Sequence, residues 1–204
     1  MRIKFCGITN IEDAMAADRA GADMLGFVVQ PGQVRQASPE LVAQARKLVK
    51  GSTVAVRLDT NFKAILHVAD LFQVHKVLAL DELELLSSIS AKFILYAPAS
   101  REGLEYLRRL SIVSNAVPLI DSAVKGMPVD MQTAKRMLDT RPDSGLGGGI
   151  TPENVQHYVD LNPAWIDVSS GIEVRPGKKD PEKMKKIVEA VKNGSSREKV
   201  VRYA

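Results

Sequence analysis

Residues 2–29, Arg2-Ile3-Lys4-Phe5-Cys6-Gly7-Ile8-Thr9-Asn10-Ile11-Glu12-Asp13-Ala14-Met15-Ala16-Ala17-Asp18-Arg19-Ala20-Gly21-Ala22-Asp23-Met24-Leu25-Gly26-Phe27-Val28-Val29, hold one full period of the pattern that organises the chain. The apolar run at 3–6 is too short for a helix and reads as a buried strand. Asn10 is a helix cap, and the pattern from Ile11 runs to a stop at Gly21. The run at 24–29 is the next strand. Strand, helix, strand, with tight connections, is the unit of a parallel sheet covered by helices.

The same rhythm continues outward. Ser38-Pro39-Glu40 opens a helix to about residue 50 with cap then proline. Residues 53–58 read as a strand followed by Asn61 and a helix, and 73–78 as a strand followed by Asp81 and a helix. Strands at 92–95 and 117–120 precede helices at about 100–110 and 129–138. A short strand at Gly145-Leu146 precedes a helix starting at Thr151-Pro152-Glu153-Asn154. The run at 165–168 precedes a last helix from Asp180 to about Val191. Eight such units favour a closed barrel over an open sheet. The expected fold is α/β, a single compact (βα)8 TIM barrel over residues 1–204.

Composition agrees with a globular chain: 45% hydrophobic and 25% charged residues can build a core. A single cysteine excludes an internal disulfide framework and suits a reducing compartment, so a cytoplasmic location is expected. Residues 1–6 are too short and too charged for a signal peptide, and no stretch is long enough to span a bilayer. The net charge of +4 is concentrated near the C-terminus, in Lys178, Lys179, Lys183, Lys185, Lys186, Lys192, Arg197, Lys199 and Arg202. With only Tyr203 as an aromatic neighbour, these read as the solvated face of a helix. No nucleic-acid partner and no membrane partner is expected.

In such a barrel the chemistry gathers at the carboxyl ends of the strands. The first strand delivers Cys6, which is either a reactive thiol over a pocket or a small core hydrophobe. The sixth delivers Asp121, a candidate acid that could equally be a helix cap or turn residue. The seventh delivers Gly147-Gly148-Gly149, and the eighth Asp167-Val168-Ser169-Ser170-Gly171. Glycines let backbone N–H groups approach an anion, and a helix start adds unpaired donors. Gly148, Gly149, Ser169, Ser170 and Gly171 are therefore candidate phosphate-binding residues. A tight turn explains a glycine triplet alone as well. Asp167 is either a substrate contact or a structural hydrogen-bond partner of its loop.

With these residues in hand, the chain resembles the phosphoribosylanthranilate isomerase family. The resemblance rests on Lys4-Phe5-Cys6-Gly7-Ile8-Thr9, Gly21-Ala22-Asp23 with Gly26-Phe27-Val28, Ala37-Ser38-Pro39-Glu40 and Leu119-Ile120-Asp121-Ser122. Gly148-Gly149-Ile150 with Pro152-Glu153-Asn154-Val155, and Asp167-Val168-Ser169-Ser170-Gly171-Ile172-Glu173 followed by Gly177-Lys178-Lys179-Asp180-Pro181, complete it. It implies an Amadori rearrangement of N-(5-phosphoribosyl)anthranilate in tryptophan biosynthesis, with neither metal nor organic cofactor. Asp121 would be the general acid and Cys6 the general base. Arg35 would lie near the anthranilate carboxylate, and the loops after strands seven and eight would hold the phosphate. The expected partner is a phosphorylated small molecule, and the assembly a monomer or a homodimer.

Both catalytic assignments require tuned acidities. A thiol of pKa roughly 8.5 is mostly protonated at neutral pH, so a cation such as Lys4, on the same strand face by parity, would have to lower it. A carboxyl of pKa about 4 is ionised at pH 7, so partial desolvation would have to raise Asp121.

The chain departs from the family pattern after Asp121-Ser122, where Ala123-Val124-Lys125-Gly126-Met127-Pro128 replaces a glycine-rich loop ending in an aromatic residue. It departs around Gly32-Gln33-Val34-Arg35, where Ser-Pro-Arg is usual, and after strand four, where Val77-Leu78-Ala79-Leu80-Asp81-Glu82 stands for a Gln-Leu-His-Gly-type ending. Arg57 occupies a usually apolar place in strand three. His67, His75 and His157 lack metal-ligand spacing and are expected at surface or helix-side positions; no metal site is expected. The rival readings are another phosphate-binding barrel enzyme, such as a sugar-phosphate isomerase or indole-forming lyase, and a non-catalytic barrel that binds a phosphometabolite.

Overall fold

The computed structural model describes residues 1–124 and 127–201, with the backbone alone for 195–201. Lys125, Gly126, Arg202 and Tyr203, and the side chains of Arg197 and Lys199, lie outside the described residues.

Eight parallel strands close on themselves in chain order: β1 (Arg2–Cys6), β2 (Met24–Val28), β3 (Ser52–Arg57), β4 (Leu71–Val74), β5 (Phe93–Pro98), β6 (Ala116–Asp121), β7 (Gly145–Leu146) and β8 (Trp165–Val168), with β8 pairing back onto β1. Around them run α1 (Ile11–Ala20), α2 (Pro39–Leu48), α3 (Leu80–Ser87), α4 (Arg101–Arg109), α5 (Met131–Thr140), α6 (Val155–Asp160) and α7 (Pro181–Val201). A small antiparallel hairpin, β9 (Glu173–Arg175) and β10 (Lys178–Lys179), follows β8. Among the described residues no helix is long and apolar enough to cross a membrane. The expected barrel is the observed architecture.

Local chemistry places the ends of these elements. The Asn10 side chain accepts from the Asp13 N–H at 2.8 Å, and Gly21, at φ 105°, closes α1 in a left-handed turn. Ser38, Ser100 and Asp130 cap α2, α4 and α5 in the same way. Side chains alternate across each strand. Ile3 and Phe5 join the large cluster between strands and helices, whereas Cys6 faces inward with Met24, Val54, Val56, Ile94, Leu119 and Trp165.

Three expectations need correction. The third connection has no α-helix, only a 3-10 turn at Lys63–Ile65. Phe62 is buried there and packs edge-on against Phe72 at 5.3 Å, covering β4 as a helix would. β4 runs over Leu71–Val74 and not over 73–78. Asp70 fixes its start by accepting from the Thr53 N–H and hydroxyl, both at 2.9 Å, and by Leu78 the backbone has left the sheet to donate to the Tyr106 hydroxyl. The residues leaving β4 are therefore Gln73-Val74-His75-Lys76, so the Gln-x-His ending that the resemblance calls for is present. Finally, α6 starts at Val155, not Thr151, because the Asn154 side chain takes the Thr151 N–H (2.8 Å) and ties back to the Gly149 carbonyl (2.8 Å) in a turn ahead of the helix.

Candidate active site

The mouth of the barrel is built on a buried ion pair. Lys4 and Asp167 are register partners on β1 and β8, and the Lys4 Nζ lies 2.9 Å from both Asp167 oxygens. Burial works against the ammonium, but Asp167 and the neighbouring thiol outweigh it and raise the Lys4 pKa. Opposite Cys6 on β2 stands Gly26. A Cβ there would fall 2.8 Å from the Cys6 Sγ and 3.0 Å from the Lys4 Nζ, so the missing side chain makes the space in which thiol and ammonium meet.

The Cys6 thiol is pushed up, not down. Burial is the largest cause and Asp167 adds to it, while Lys4 and Lys179 pull the other way. Lys4 thus acts in the expected direction and is outweighed. Because Cys6 is the sole cysteine, its alkylation by iodoacetamide isolates this effect. The rate is expected to be slow at pH 7 and still rising at pH values where an ordinary thiol has already ionised; a plateau reached near neutral pH would contradict the geometry.

Asp121 ends β6. Its Oδ1 accepts from the Ser122 N–H at 2.6 Å, and Gly147 and Gly148 press on the carboxylate so closely that Cβ atoms there would lie 3.1 and 2.9 Å from its oxygens. Asp121 is no helix cap, since Asp130 caps the helix that follows. Its pKa is pushed up to about 7, by burial first and then by the Asp167 charge, against the Ser122 N–H and Lys4. A fifth of the side chain stays open to the mouth. Asp167 therefore faces both groups: it pairs with Lys4 and raises the pKa of Cys6 and of Asp121 alike.

The two glycine-bearing loops lie against each other. Gly148 and Gly149 adopt φ of 94° and 68°, a region that favours glycine. A Cβ on Gly171 would lie 1.9 Å from the Ile150 carbonyl oxygen, so only glycine allows the eighth loop to close on the seventh. Among the described residues the N–H groups of Gly148, Gly149, Ser170 and Gly171 donate to no protein acceptor. The Ser169 Oγ sits beside Gly7 at the end of β1. The unpaired donors of the two loops are backbone groups, and the helix expected from Thr151 does not begin until Val155.

Beside Arg35, for which the resemblance implies a role, the mouth holds Glu173, Lys179 and His75, for which sequence reading gave none. Arg35 lies across Gly7, whose φ of 75° and missing Cβ admit its Cδ, and is held by both oxygens of Glu173. Glu173 in turn bonds Lys179 at 3.0 Å. His75, with 37% of its side chain exposed, stands at the barrel mouth beside Asp121. Its Nε2 lies 4.0 Å from an Asp121 oxygen, its ring packs on Tyr96 at 4.7 Å, and its Nδ1 is 3.2 Å from the Gln73 amide. Arg57 has no part here, being paired with Asp59 at 2.6 and 2.8 Å. Among the described residues no cluster of three His, Cys, Asp or Glu side chains could hold a metal ion.

Comparison with known proteins places the chain in a family. Residues 3–190 match the family described as N-(5'phosphoribosyl)anthranilate (PRA) isomerase. The isomerase of Sulfolobus acidocaldarius is 40% identical over 94% of this chain and 96% of its own length, and that of Saccharolobus solfataricus 39% over 98% and 100%. The crystal structure of phosphoribosyl anthranilate isomerase from Thermus thermophilus superposes with a TM-score of 0.83 at 28% identity, covering 95% of this chain and 99% of that one. A relative solved in complex with reduced 1-(o-carboxyphenylamino)-1-deoxyribulose 5-phosphate gives 0.80 at 29%, with the same coverage. The chain belongs to the N-(5'-phosphoribosyl)anthranilate isomerase family.

Proposed function

We propose that the barrel mouth isomerises N-(5'-phosphoribosyl)anthranilate to 1-(2-carboxyphenylamino)-1-deoxyribulose 5-phosphate, a step of tryptophan biosynthesis, by acid and base catalysis. One observation carries the assignment of roles. At a single rim, a carboxyl pushed up to about 7 and a buried thiol share the influence of Asp167, with free backbone donors beside them.

Asp121 gives its proton to the ribose ring oxygen as the C1'–O bond breaks, and the anthranilate nitrogen lone pair closes to a protonated Schiff base. The new positive charge near Cys6 favours the thiolate. The thiolate takes the proton on C2', and the electron pair of that bond forms the C1'–C2' double bond of an enolamine while the C=N pair returns to nitrogen. Loss of the O2' proton and gain of one at C1' give the ketone. Gly148, Gly149, Ser170 and Gly171 donate N–H groups to the phosphate, with the Ser169 hydroxyl alongside, and Arg35 faces the anthranilate carboxylate. Asp167 holds Lys4 in place and adds to burial in raising the Asp121 pKa.

The test is loss of the fluorescence of N-(5'-phosphoribosyl)anthranilate made in situ in the presence of the protein. No loss over the uncatalysed rate would reject the reading. Inorganic phosphate provides an independent check on the cradle. At a hundred times its Kd it is expected to stabilise the fold by about 2.7 kcal/mol, a rise of several degrees in Tm for a chain of this size, and to compete with substrate. An unchanged Tm at tens of millimolar phosphate would count against the cradle. Assembly as a monomer or a homodimer also belongs to this proposal; one solved relative, from Thermotoga maritima, is described as dimeric.

A further inference from the structure

The hairpin after β8 places a charged strap over the end of β1. Glu173, at its start, is nearly inaccessible, with 5% of its side chain exposed, and four donors converge on its carboxylate. Arg35 Nε donates to Oε1 at 2.8 Å and Arg35 Nη2 to Oε2 at 2.7 Å; Lys179 Nζ donates to Oε1 at 3.0 Å and the Gly177 N–H at 3.1 Å. Lys179, at the end of the hairpin, is buried and also donates to the Ser169 carbonyl at 3.1 Å. The strap is itself anchored. Asp13 in the first turn of α1 accepts from the Lys179 N–H at 2.9 Å, and the Thr9 hydroxyl donates to the Gly177 carbonyl at 2.5 Å.

A guanidinium carries its N–H groups in one rigid plane. With Nε and one edge of Nη2 committed to Glu173, the plane is fixed and the remaining donors lie toward Nη1. Two cations on one carboxylate also leave a net charge of a single positive unit near Cys6. The thiol is faced by Lys4 from β1, Asp167 from β8, Lys179 from β10 and Arg35 from the loop after β2.

The geometry points to Glu173 as a positioning residue for the reaction: by clamping Arg35 through two parallel bonds while holding Lys179, it fixes the one guanidinium edge open to the anionic aromatic end of the substrate and sets the positive charge that Cys6 faces. This deepens the proposed function and rests on it, since it takes Arg35 as the carboxylate contact and Cys6 as the base.

The test uses Glu173→Gln, which keeps the shape and removes the charge, with Arg35→Ala, Arg35→Lys and the double variant. Glu173→Gln is expected to raise KM by roughly tenfold or more, with a smaller change in kcat, as a displaced anchor does. Because the carboxylate that offsets Arg35 and Lys179 is lost, the thiol faces more positive charge and Cys6 alkylation in this variant shifts to lower pH, a change that loosened packing alone would not produce. Arg35→Ala raises KM, and adding Glu173→Gln to it raises KM no further, since nothing is left to clamp. Arg35→Lys falls close to Arg35→Ala, because an ammonium cannot take the fork. A native KM in Glu173→Gln, multiplicative effects in the double variant, or a native KM in Arg35→Lys would each overturn the clamp. Should Glu173→Gln not fold, Arg35→Lys decides alone. If Arg35→Ala raises KM and Glu173→Gln does not, only the clamp fails; if Arg35→Ala leaves KM unchanged, the reading of Arg35 fails with it.

Discussion

Asp121→Asn and Cys6→Ala each remove most of the turnover, by roughly a hundred- to ten-thousandfold, in a barrel that stays folded. The size follows from the roles: one group must deliver a proton and the other remove one. Their acidities order the pH dependence in an unusual way. The carboxyl titrates at about 7 and the thiol above its ordinary value, so the acid loses its proton before the base does. The reactive form, protonated carboxyl with thiolate, and the resting form, carboxylate with thiol, both hold one proton between them. Their sum is greatest between the two acidity constants. kcat/KM should therefore rise as pH climbs through about 7, hold level above it, and fall only where the raised thiol ionises. Stability moves the other way. A carboxyl whose folded pKa is raised favours the fold while protonated, and that contribution is lost as pH rises through about 7. The shift corresponds to something on the order of 4 kcal/mol. Asp121→Asn, which cannot ionise, is thus expected to melt higher than the native chain above pH 7, by a smaller margin at pH 5, and little differently only below about pH 4. An equal or lower Tm at pH 8 would show that Asp121 is not forced to ionise in an unfavourable place.

Lys4→Met is expected to be the most destabilising of the single changes at the mouth. It strands Asp167 as a buried carboxylate beside Asp121, and loss of one partner of a buried pair costs about 3–5 kcal/mol. For a chain of this size that is roughly 6–20 °C of Tm. Adding Asp167→Leu removes the stranded charge as well and should recover much of the loss, while activity stays low because Asp121 and Cys6 have lost the group that faces both. Scanning calorimetry of the single and double variants measures the difference. A single variant that melts within about 2 °C of the native chain, less than the shift expected for 1 kcal/mol, would refute the pair's structural weight.

What could be read from the chain followed the range of each signal. The barrel was legible because its cues are local: a capped helix between two short apolar runs, repeated. Strand parity alone put Lys4 and Cys6 on one face, and both do point inward. The third connection misled because the apolar residues of 62–69 carry helix-like spacing, although ring packing by Phe62 replaces the helix. β4 was displaced by the apolar residues beyond it, and that displacement hid His75 from its place beside Asp121. The clamp on Arg35 was out of reach altogether. Its partner lies 138 positions away, and only closure of β8 onto β1 brings the two together. The direction of the Cys6 shift was equally hidden, since it is a contest between burial and four charges whose outcome depends on distances.

The missing helix between β3 and β4 gives the barrel one thin wall, sealed by three phenylalanine rings instead of a cylinder of backbone. That wall lies across the ring from β7 and β8, where the cradle loops emerge. Breathing motions of the empty protein should begin at this seam, with the amides of β3 and β4 exchanging their hydrogens first, so that the barrel can loosen on one flank while the opposite flank keeps its grip.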